Sequence, residues 1–573
     1  MARLQRLDAA LGGLTIIIEG LRAIQHQHGY LPTAALQELS ERINVPLYHL
    51  HGVASFFPHF RLTPPPPVEL RICQDMSCHL RGADPLRTAV EARIEQDGPT
   101  GVVVGPASCL GQCDRAPAAA VNDHIVTRLT PDSLWALVDR AATGGSMPHP
   151  EITAISGPLM MDPYPKPEDR YGALKRLLAT RDIAGTIATL KAADLRGLGG
   201  AGFMTGLKWE LVRNAVSEVK YVVCNADESE PGTIKDRVIM EHLPHLVIEG
   251  MILAGVVTGA KTGILYIRHE YEAQIELCQK ELDACARAGV IGKRILGSDV
   301  DFDLTIFVSP GGYICGEESA LIEAIQGNRG EPRNKPPFPG QMGGGLWYKP
   351  TVVNNVETFA CCPLILMEGP DAFKAKGLNG APGPKFVGIS GDVNKPGVYE
   401  IRMGTPLKDV IYQLAGGIRG GKKLKGFAPS GPSSGYLPAS MVDVPLDFKS
   451  LAAAGSMLGS GAIVVCAEGT CMLDMALNSV RFFKNESCGK CVPCRVGSAK
   501  MVDTLMKITH GKGTAEDLAT IDELSEAMAL ASICGLGQIA PVPIQSVIKH
   551  FREEIDDHVL RKRCPSGVCT MAG

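Results

Sequence analysis

Apolar residues recur along this chain with two different periods. Ile16-Ile17-Ile18, Leu21, Ile24, Leu36, Leu39 and Ile43 repeat at helical spacing, which predicts a helical segment over 1–62. The run Thr63-Pro64-Pro65-Pro66-Pro67 ends that pattern as a stiff boundary. Val68–Cys73, Gly101–Val104 and Ala119–Val126 then read as strands and Leu86–Gln96 as a helix, a small α/β domain over 68–142. Residues 143–175 are rich in Gly, Pro and Met, show no period and read as a linker. Over 176–372 the alternation resumes. Tyr221–Cys224, Gly263–Ile267 and Leu304–Val308 are strand-like, and Leu246–Val257 and Glu272–Ala288 are helix-like, giving a larger α/β domain. Residues 373–455 are punctuated by Gly and Pro and read as a small β-rich domain. Residues 456–573 are mainly helical, with Met472–Phe483, Ala499–Thr509, Ala515–Ala529 and Ile544–Asp556 as segments. The fold class is α/β, multidomain.

Composition narrows what such a chain does. Among 573 residues, 57 Lys+Arg nearly balance 61 Asp+Glu, so nothing favours a nucleic-acid partner or an anionic membrane surface. The apolar stretch Leu14 to Ile18 is flanked by Asp8 and Glu19 and has no small-residue cleavage site, so it does not read as a signal peptide. Leu246–Val257 is interrupted by Glu249 and falls well short of the roughly 20 residues of a membrane span. The expectation is a soluble, cytoplasmic protein. In a reducing compartment its 18 cysteines are metal ligands more readily than disulfides.

Eight of those cysteines fall into two sets. Cys73-x4-Cys78 is followed, 30 residues later, by Cys109-x3-Cys113. Two short-spaced pairs of thiolates suit a 2Fe–2S cluster, where each iron takes two protein sulfurs; a four-thiolate zinc site is the rival. Cys488-x2-Cys491-x2-Cys494 places three thiolates around one face of a cubane. The fourth ligand of a 4Fe–4S cluster has to come from elsewhere, and Cys534, after 39 intervening residues, is the candidate. Lys490 and Arg495 flank that set and offset cluster charge.

The loop Arg196-Gly197-Leu198-Gly199-Gly200-Ala201-Gly202-Phe203 contains G-x-G-x-x-G, but Gly185–Leu195 before it reads as a helix, so the usual strand–turn–helix context is missing. Its glycines still allow backbone N–H groups to converge on an anion; a plain turn is the alternative. Three more loops are dense in polar side chains: Cys224–Gly232, Gly311–Glu318 and Pro350–Thr358.

Taken in order, these features carry two resemblances. Gly29-Tyr30-Leu31-Pro32, Val53-Ala54-Ser55-Phe56-Phe57 and the first cysteine set resemble the thioredoxin-like 2Fe–2S subunit of respiratory complex I and related diaphorases. The glycine loop, Lys208-Trp209, the three polar loops, Arg333-x-Lys335-Pro336-Pro337-Phe338-Pro339 and the second cysteine set resemble the FMN- and NADH-binding flavoprotein subunit of complex I. The resemblance implies a thioredoxin-like ferredoxin domain, a Rossmann-like FMN/NAD domain, a β-grasp domain and a helical 4Fe–4S domain. It implies that Gly197, Gly199, Lys208, Asn225, Asp227, Ser229, Asn354, Asn355 and Thr358 hold FMN. Phe203 and Phe338 stack the adenine of NADH, and Glu228, Glu230, Tyr313 and Glu318 border nicotinamide and ribose, with Glu230 and Tyr313 nearest the chemistry. An acidic residue at the ribose favours NAD over NADP. Leu198 stands where many relatives have Arg, which removes one phosphate contact.

Fusion of both parts in one chain resembles soluble NAD-linked hydrogenase diaphorases and NAD-linked formate dehydrogenase β subunits. Chain size and the ending Arg563-Cys564-Pro565-Ser566-Gly567-Val568-Cys569 are most similar to the β subunit of a molybdenum- or tungsten-dependent formate dehydrogenase. Nothing in the sequence resembles a pterin or nickel site, so the resemblance implies a catalytic α subunit that carries a pterin Mo or W cofactor and further iron–sulfur clusters. A zinc scaffold whose glycine loops bind a regulatory nucleotide is the reading from another class. Three signals are set aside. His26-x-His28 and His49-x-His51 read as surface histidines, because i and i+2 point apart on a helix. Cys466 and Cys471 read as buried core thiols, and Cys564-x4-Cys569 as part of a tail.

Overall fold

The computed structural model describes residues 16–149, 151–155 and 157–571. Asp8 and Leu14 therefore lie outside the described residues, as does the start of the predicted 1–62 segment. Within it stand three helices, Ile16–His28, Thr33–Ile43 and Leu47–Ala54. Among the described residues no single helix is long and apolar enough to cross a membrane. The chain forms two compact units: residues 1–65, 151–228 and 236–384 make the first, and 66–150, 229–235 and 385–573 the second.

The first sheet belongs to the second unit. It contains β1 (Val68–Cys73), β2 (Val102–Ala107), β3 (Ala118–Val121) and β4 (His124–Thr127) in the order β2-β1-β3-β4. β1 and β2 are parallel, and the other pairings are antiparallel. The single strand expected over Ala119–Val126 is a hairpin. Asn122 and Asp123 turn it with φ of 48° and 69°, the left-handed pair that a two-residue hairpin turn requires and that Asn and Asp tolerate. Helix Ala83–Asp97 and helix Pro131–Ala142 pack on this sheet through Leu86, Val90, Leu134 and Val138.

The second sheet is the centre of the first unit. It holds β5 (Tyr221–Ala226), β6 (Thr262–Arg268), β7 (Asp303–Ser309) and β8 (Thr351–Asn355), all parallel, in the order β7-β6-β5-β8. A parallel sheet needs both faces covered, which is why β5 and β6 read as continuous apolar runs. Helix Pro244–Thr258, buried along its whole length after Pro244, covers it. The sequence pattern does not predict β8 as a strand, because its Asn354-Asn355 end reads as loop chemistry. The N-terminal helices fold onto this unit: Arg22 donates to the Val308 carbonyl at 3.0 Å, and His49 Nε2 to that of Gly327 at 3.1 Å. His49 is thus tied to backbone rather than to a metal.

The third sheet, in the second unit, contains β9 (Pro384–Gly391), β10 (Gly397–Arg402), β11 (Leu424–Ala428), β12 (Leu437–Pro438) and β13 (Ala462–Ala467) in the order β10-β9-β13-β11-β12. β13 is its central strand, so this domain runs past the boundary read at 455. Helices Met472–Asn485, Val492–Thr509 and Ala515–Ala531 follow. The helix expected over Ile544–Asp556 is broken at Phe551 into Val542–His550 and Arg552–Val559.

Inside the first unit, Glu249 is a fully buried carboxyl on helix Pro244–Thr258. It accepts from Tyr164 Oη at 2.8 Å and from the Leu174 N–H at 2.9 Å. Lys175 and Cys285 are its other titratable neighbours, and His245, which faces Asp162, packs against Tyr164. Burial pushes its pKa up to about 7, against the hydrogen bonds from Leu174 and Tyr164. A carboxyl raised in the folded state favours folding fully below its unfolded value near 4.5 and loses that contribution as pH rises through 7. Glu249→Gln keeps an acceptor and removes the charge. Relative to wild type, its thermal midpoint is expected to improve by a few degrees between pH 5 and pH 8.5, corresponding to about 3 kcal/mol. A pH-independent difference overturns this.

Candidate functional site

In an open parallel sheet, ligands bind outside the carboxyl ends of the strands, where the strand order reverses. Here that point lies between β5 and β8. The ends of these strands carry Asn225 and Asn354-Asn355, and Asp227 follows in the next loop. The glycine loop lies between helix Ile183–Ala192 and helix Thr205–Asn214, so no strand precedes it, as the sequence indicated.

Close approach fixes that loop against β8. A Cβ on Gly199 would stand 2.8 Å from the Asn355 Cβ, nearer than side-chain carbons come. Leu198 donates its N–H to Thr358 Oγ1 at 2.9 Å. The Gly197 N–H is used by the Phe203 carbonyl at 2.8 Å and that of Gly202 by the Gly197 carbonyl at 3.2 Å. Gly199, Gly200 and Ala201 are exposed, and among the described residues their N–H groups make no backbone hydrogen bond. The three donors offered to an anion are therefore these, not Gly197.

The polar loops are tied to one another. Asn225 Nδ2 donates to the Gly316 carbonyl at 2.8 Å, and its Oδ1 accepts from the Asp227 N–H at 3.1 Å. Trp209 Nε1 donates to Asn354 Oδ1 at 3.2 Å. Asn355 caps helix Val356–Glu368 by accepting from Glu357 N–H at 3.0 Å, and donates to Asp236 at 2.6 Å. Lys208 donates to the Val353 carbonyl at 2.8 Å and stands 3.9 Å from Glu318. Burial holds its pKa below the usual lysine value, partly offset by Glu318. Glu318 also pairs with Lys335 at 2.9 Å. Tyr313 opens a short helical turn after β7. Phe203 and Phe338 are exposed, at 45% and 51%.

Glu228 and Glu230 are each held by contacts of their own. The buried Glu228 carboxylate accepts from the Asp236 and Arg237 N–H groups at 2.8 and 3.0 Å and from Tyr271 Oη at 2.8 Å. It holds the start of helix Lys235–His242. Ser229 and Glu230 belong to the second unit. There Ser433 donates N–H and Oγ to the Glu230 carboxylate, whose pKa burial pushes up to about 7.

The first cysteine set sits at strand ends. Cys73 closes β1, Cys78 lies in helix Met76–Leu80, Cys109 follows β2, and Cys113 opens a helical turn. All four are buried, Cys109 and Cys113 Sγ atoms are 3.4 Å apart, and the Gly232 N–H points at Cys113 Sγ at 3.1 Å. Four converging thiols with a backbone N–H aimed at sulfur fit an iron–sulfur cluster.

The second set is built on helix starts. Cys491 caps helix Val492–Thr509, Cys494 lies in its first turn, and Cys534 caps helix Gly535–Ile539. Burial, and then the neighbouring Cys491, Cys534 and Cys488, push the Cys494 thiol up to about 11. Ser487 Oγ is 3.2 Å from Cys494 Sγ. Gly537 lets the Cys534 segment close in, since a Cβ there would stand 2.8 Å from the Cys494 Cβ.

Known proteins match this architecture part by part. Residues 12–142 match the thioredoxin-like [2Fe-2S] ferredoxin family and 190–363 the Nuo51 FMN-binding domain. Residues 386–436 match the SLBB domain, and 474–558 the iron–sulfur binding region of NADH-ubiquinone oxidoreductase-F. The second F-type subunit of NADH-quinone oxidoreductase from Rhizobium meliloti is 43% identical over 395 residues, covering 69% of this chain and 93% of that protein. The chain belongs to this family of flavoprotein subunits. The NAD-reducing hydrogenase HoxS subunit alpha of Cupriavidus necator is 33% identical over 572 residues, 96% of this chain and 93% of that protein. A crystal structure of an air-oxidised NAD+-reducing [NiFe]-hydrogenase superposes with a TM-score of 0.84 at 33% identity, covering 95% of this chain and 94% of that one. The family thus gives the chain an FMN-binding domain, a 2Fe–2S domain and a 4Fe–4S region, with the fold class read from the sequence.

Sequence reasoning missed one grouping. Cys471, read as a core thiol beside Cys466, faces Cys569 and His558 instead. Spacing alone does not show it, because 86 residues separate Cys471 from His558.

Gly537→Ala is expected to lower iron from about six to about two atoms per chain, since only the second cysteine set is pushed apart. Gly535→Ala, whose Cβ meets nothing within 4 Å, should leave iron unchanged. Iron analysis of both variants decides; equal loss or no loss overturns the packing argument.

Proposed function

We propose that this chain is the diaphorase subunit of a soluble NAD-linked enzyme, and that it couples NAD+ reduction to formate oxidation, and the reverse reduction of CO2, at a partner subunit. When bound, FMN and the two clusters supply the chemistry of exchanging electrons with nicotinamide in pairs and passing them on singly. The chain's own residues bind and orient. Gly199, Gly200 and Ala201 offer N–H groups to the flavin phosphate, with Lys208 as the cation. Asn225, Asp227, Ser229, Asn354, Asn355 and Thr358 line the flavin, with Gly197 shaping the loop. Exposed Phe203 and Phe338 offer faces to the adenine. Tyr313, Glu318 and Glu230 border the nicotinamide and its ribose. Cys73, Cys78, Cys109 and Cys113 ligate the 2Fe–2S cluster; Cys488, Cys491, Cys494 and Cys534 ligate the 4Fe–4S cluster.

The observation that carries the diaphorase reading is the glycine loop held against β8, with three exposed residues whose N–H groups make no backbone hydrogen bond among the described residues, in one chain with two cysteine quartets. Formate rests on the resemblance carried by the segment Arg563-Cys564-Pro565-Ser566-Gly567-Val568-Cys569. Hydrogen is the second reading, favoured by the near full-length likeness to the hydrogenase subunit. The proposed setting is the cytoplasm, without membrane or nucleic acid, beside an α subunit with a pterin Mo or W cofactor.

Anaerobically purified chain is expected to contain one FMN, about six iron atoms, and NADH-dependent dye reduction. Gly199→Ala should lose FMN and dye reduction but keep iron. Colourless, flavin-free wild type overturns the diaphorase reading. The complex purified with its partner is expected to contain Mo or W and to reduce NAD+ with formate; nickel and hydrogen-dependent reduction overturn the formate assignment alone.

A further inference from the structure

Outside both quartets, the second unit brings a third set of ligating side chains together. One ligand atom from each of Cys471, His558, Cys564 and Cys569 lies within 4.8 Å of all the others. Cys471 Sγ is 3.5 Å from His558 Nε2 and 3.6 Å from Cys569 Sγ. A tetrahedral ion bonded at about 2.3 Å to sulfur and about 2.0 Å to nitrogen separates sulfur from nitrogen by about 3.5 Å and sulfur from sulfur by about 3.8 Å. The two measured edges fit that tetrahedron.

The surroundings hold each ligand in place. His558 is fully buried, and its Nδ1 lies 2.7 Å from the Glu554 carbonyl. A carbonyl only accepts, so Nδ1 carries the proton and Nε2 turns its lone pair toward the sulfurs. Glu554 is itself anchored: its carboxylate accepts from the Met472 N–H and from Lys425 Nζ, each at 2.7 Å. It thereby joins helix Met472–Asn485, which begins beside Cys471, to helix Arg552–Val559, which carries His558. Cys564 and Cys569 flank a turn in which the Gly567 N–H bonds the Cys564 carbonyl at 3.0 Å, with Gly567 at φ +66°.

We propose that Cys471, His558, Cys564 and Cys569 bind one structural zinc ion that pins the C-terminal segment to the helical domain. Three thiolates and an imidazole are a zinc donor set, and four protein ligands leave no open position for substrate. The described segment after Val559 has no helix or strand of its own. Besides the ligands, Asp557 holds it through Arg561 and Arg563, both more than half exposed, and Lys562 donates to the Gly513 carbonyl; exposed ion pairs of this kind contribute little. Zinc has no redox chemistry, so this centre stands outside the electron path. Its formation releases thiol protons to solvent and stabilises the folded segment. The inference does not depend on which substrate the partner uses.

The test is zinc analysis and zinc K-edge absorption on the full chain, purified anaerobically from zinc-supplemented cells. One zinc per chain is expected, with about three sulfurs at about 2.3 Å and about one nitrogen at about 2.0 Å. Cys564→Ser/Cys569→Ser should lose that zinc while iron, FMN and dye reduction stay at wild-type levels. Trypsin, which cuts after Arg561, Lys562 and Arg563, should release the tail roughly tenfold faster in this variant. Zinc chelation should have the same effect on wild type, which keeps the test independent of how the variant folds. Absence of zinc, zinc retained in the variant, iron at this site, or an oxygen-rich shell each overturns the proposal.

Discussion

The flavin-side architecture depends on how closely one loop approaches one strand end. Gly199 meets Asn355 at a distance that excludes any side chain, and Leu198 is bonded to Thr358. Once the glycine loop is seated there, the other contacts follow. Asn355 cannot move without releasing the cap of helix Val356–Glu368 and its bond to Asp236, and Asn354 holds Trp209. The amides read as ligand contacts are also the ties that hold four loops at the strand-order reversal. Preorganisation of this kind limits the ordering cost left for binding.

The cysteine sites use the same device in a different setting. Gly537 admits the Cys534 segment to Cys494, and Gly232 brings its N–H to Cys113. At Gly537 an extra carbon would press on the Cys494 Cβ; at Gly232 it would press on Val464, 2.8 Å away, and shift the N–H that faces sulfur. Most of the thiols come from strand ends, helix caps and first helical turns, with Cys78 inside the one short helix Met76–Leu80. Those positions leave N–H groups uncommitted to a ladder or helix.

Much of this was legible because it is local in sequence. Short cysteine spacings gave both quartets, and apolar runs gave β5, β6 and β7. What stayed hidden depends on contacts between distant residues or on competing local signals. β8 ends in two amides that outweigh its short Val352-Val353 run, and the hairpin at Asn122-Asp123 lies inside one apolar stretch. Cys471 and His558 meet only because the last helices fold back. The helix broken at Phe551 keeps an apolar period across the break, so periodicity alone cannot place it.

Glu228 shows how a correct motif can mislead about a single side chain. An acid in a polar loop after a strand suggests ribose recognition, yet this one faces inward to two N–H groups and Tyr271. Removing it would leave those donors unpaired in the interior, a loss of stability that resembles a loss of cofactor affinity in any activity assay. Glu318 is different: it is half-buried, shared between Lys335 and Lys208, and partly neutralised by them. Two lysines beside an acid reduce its repulsion of any nearby anion. The charge that Glu318 presents is thus set by two lysines distant in sequence, which the loop motif alone does not show.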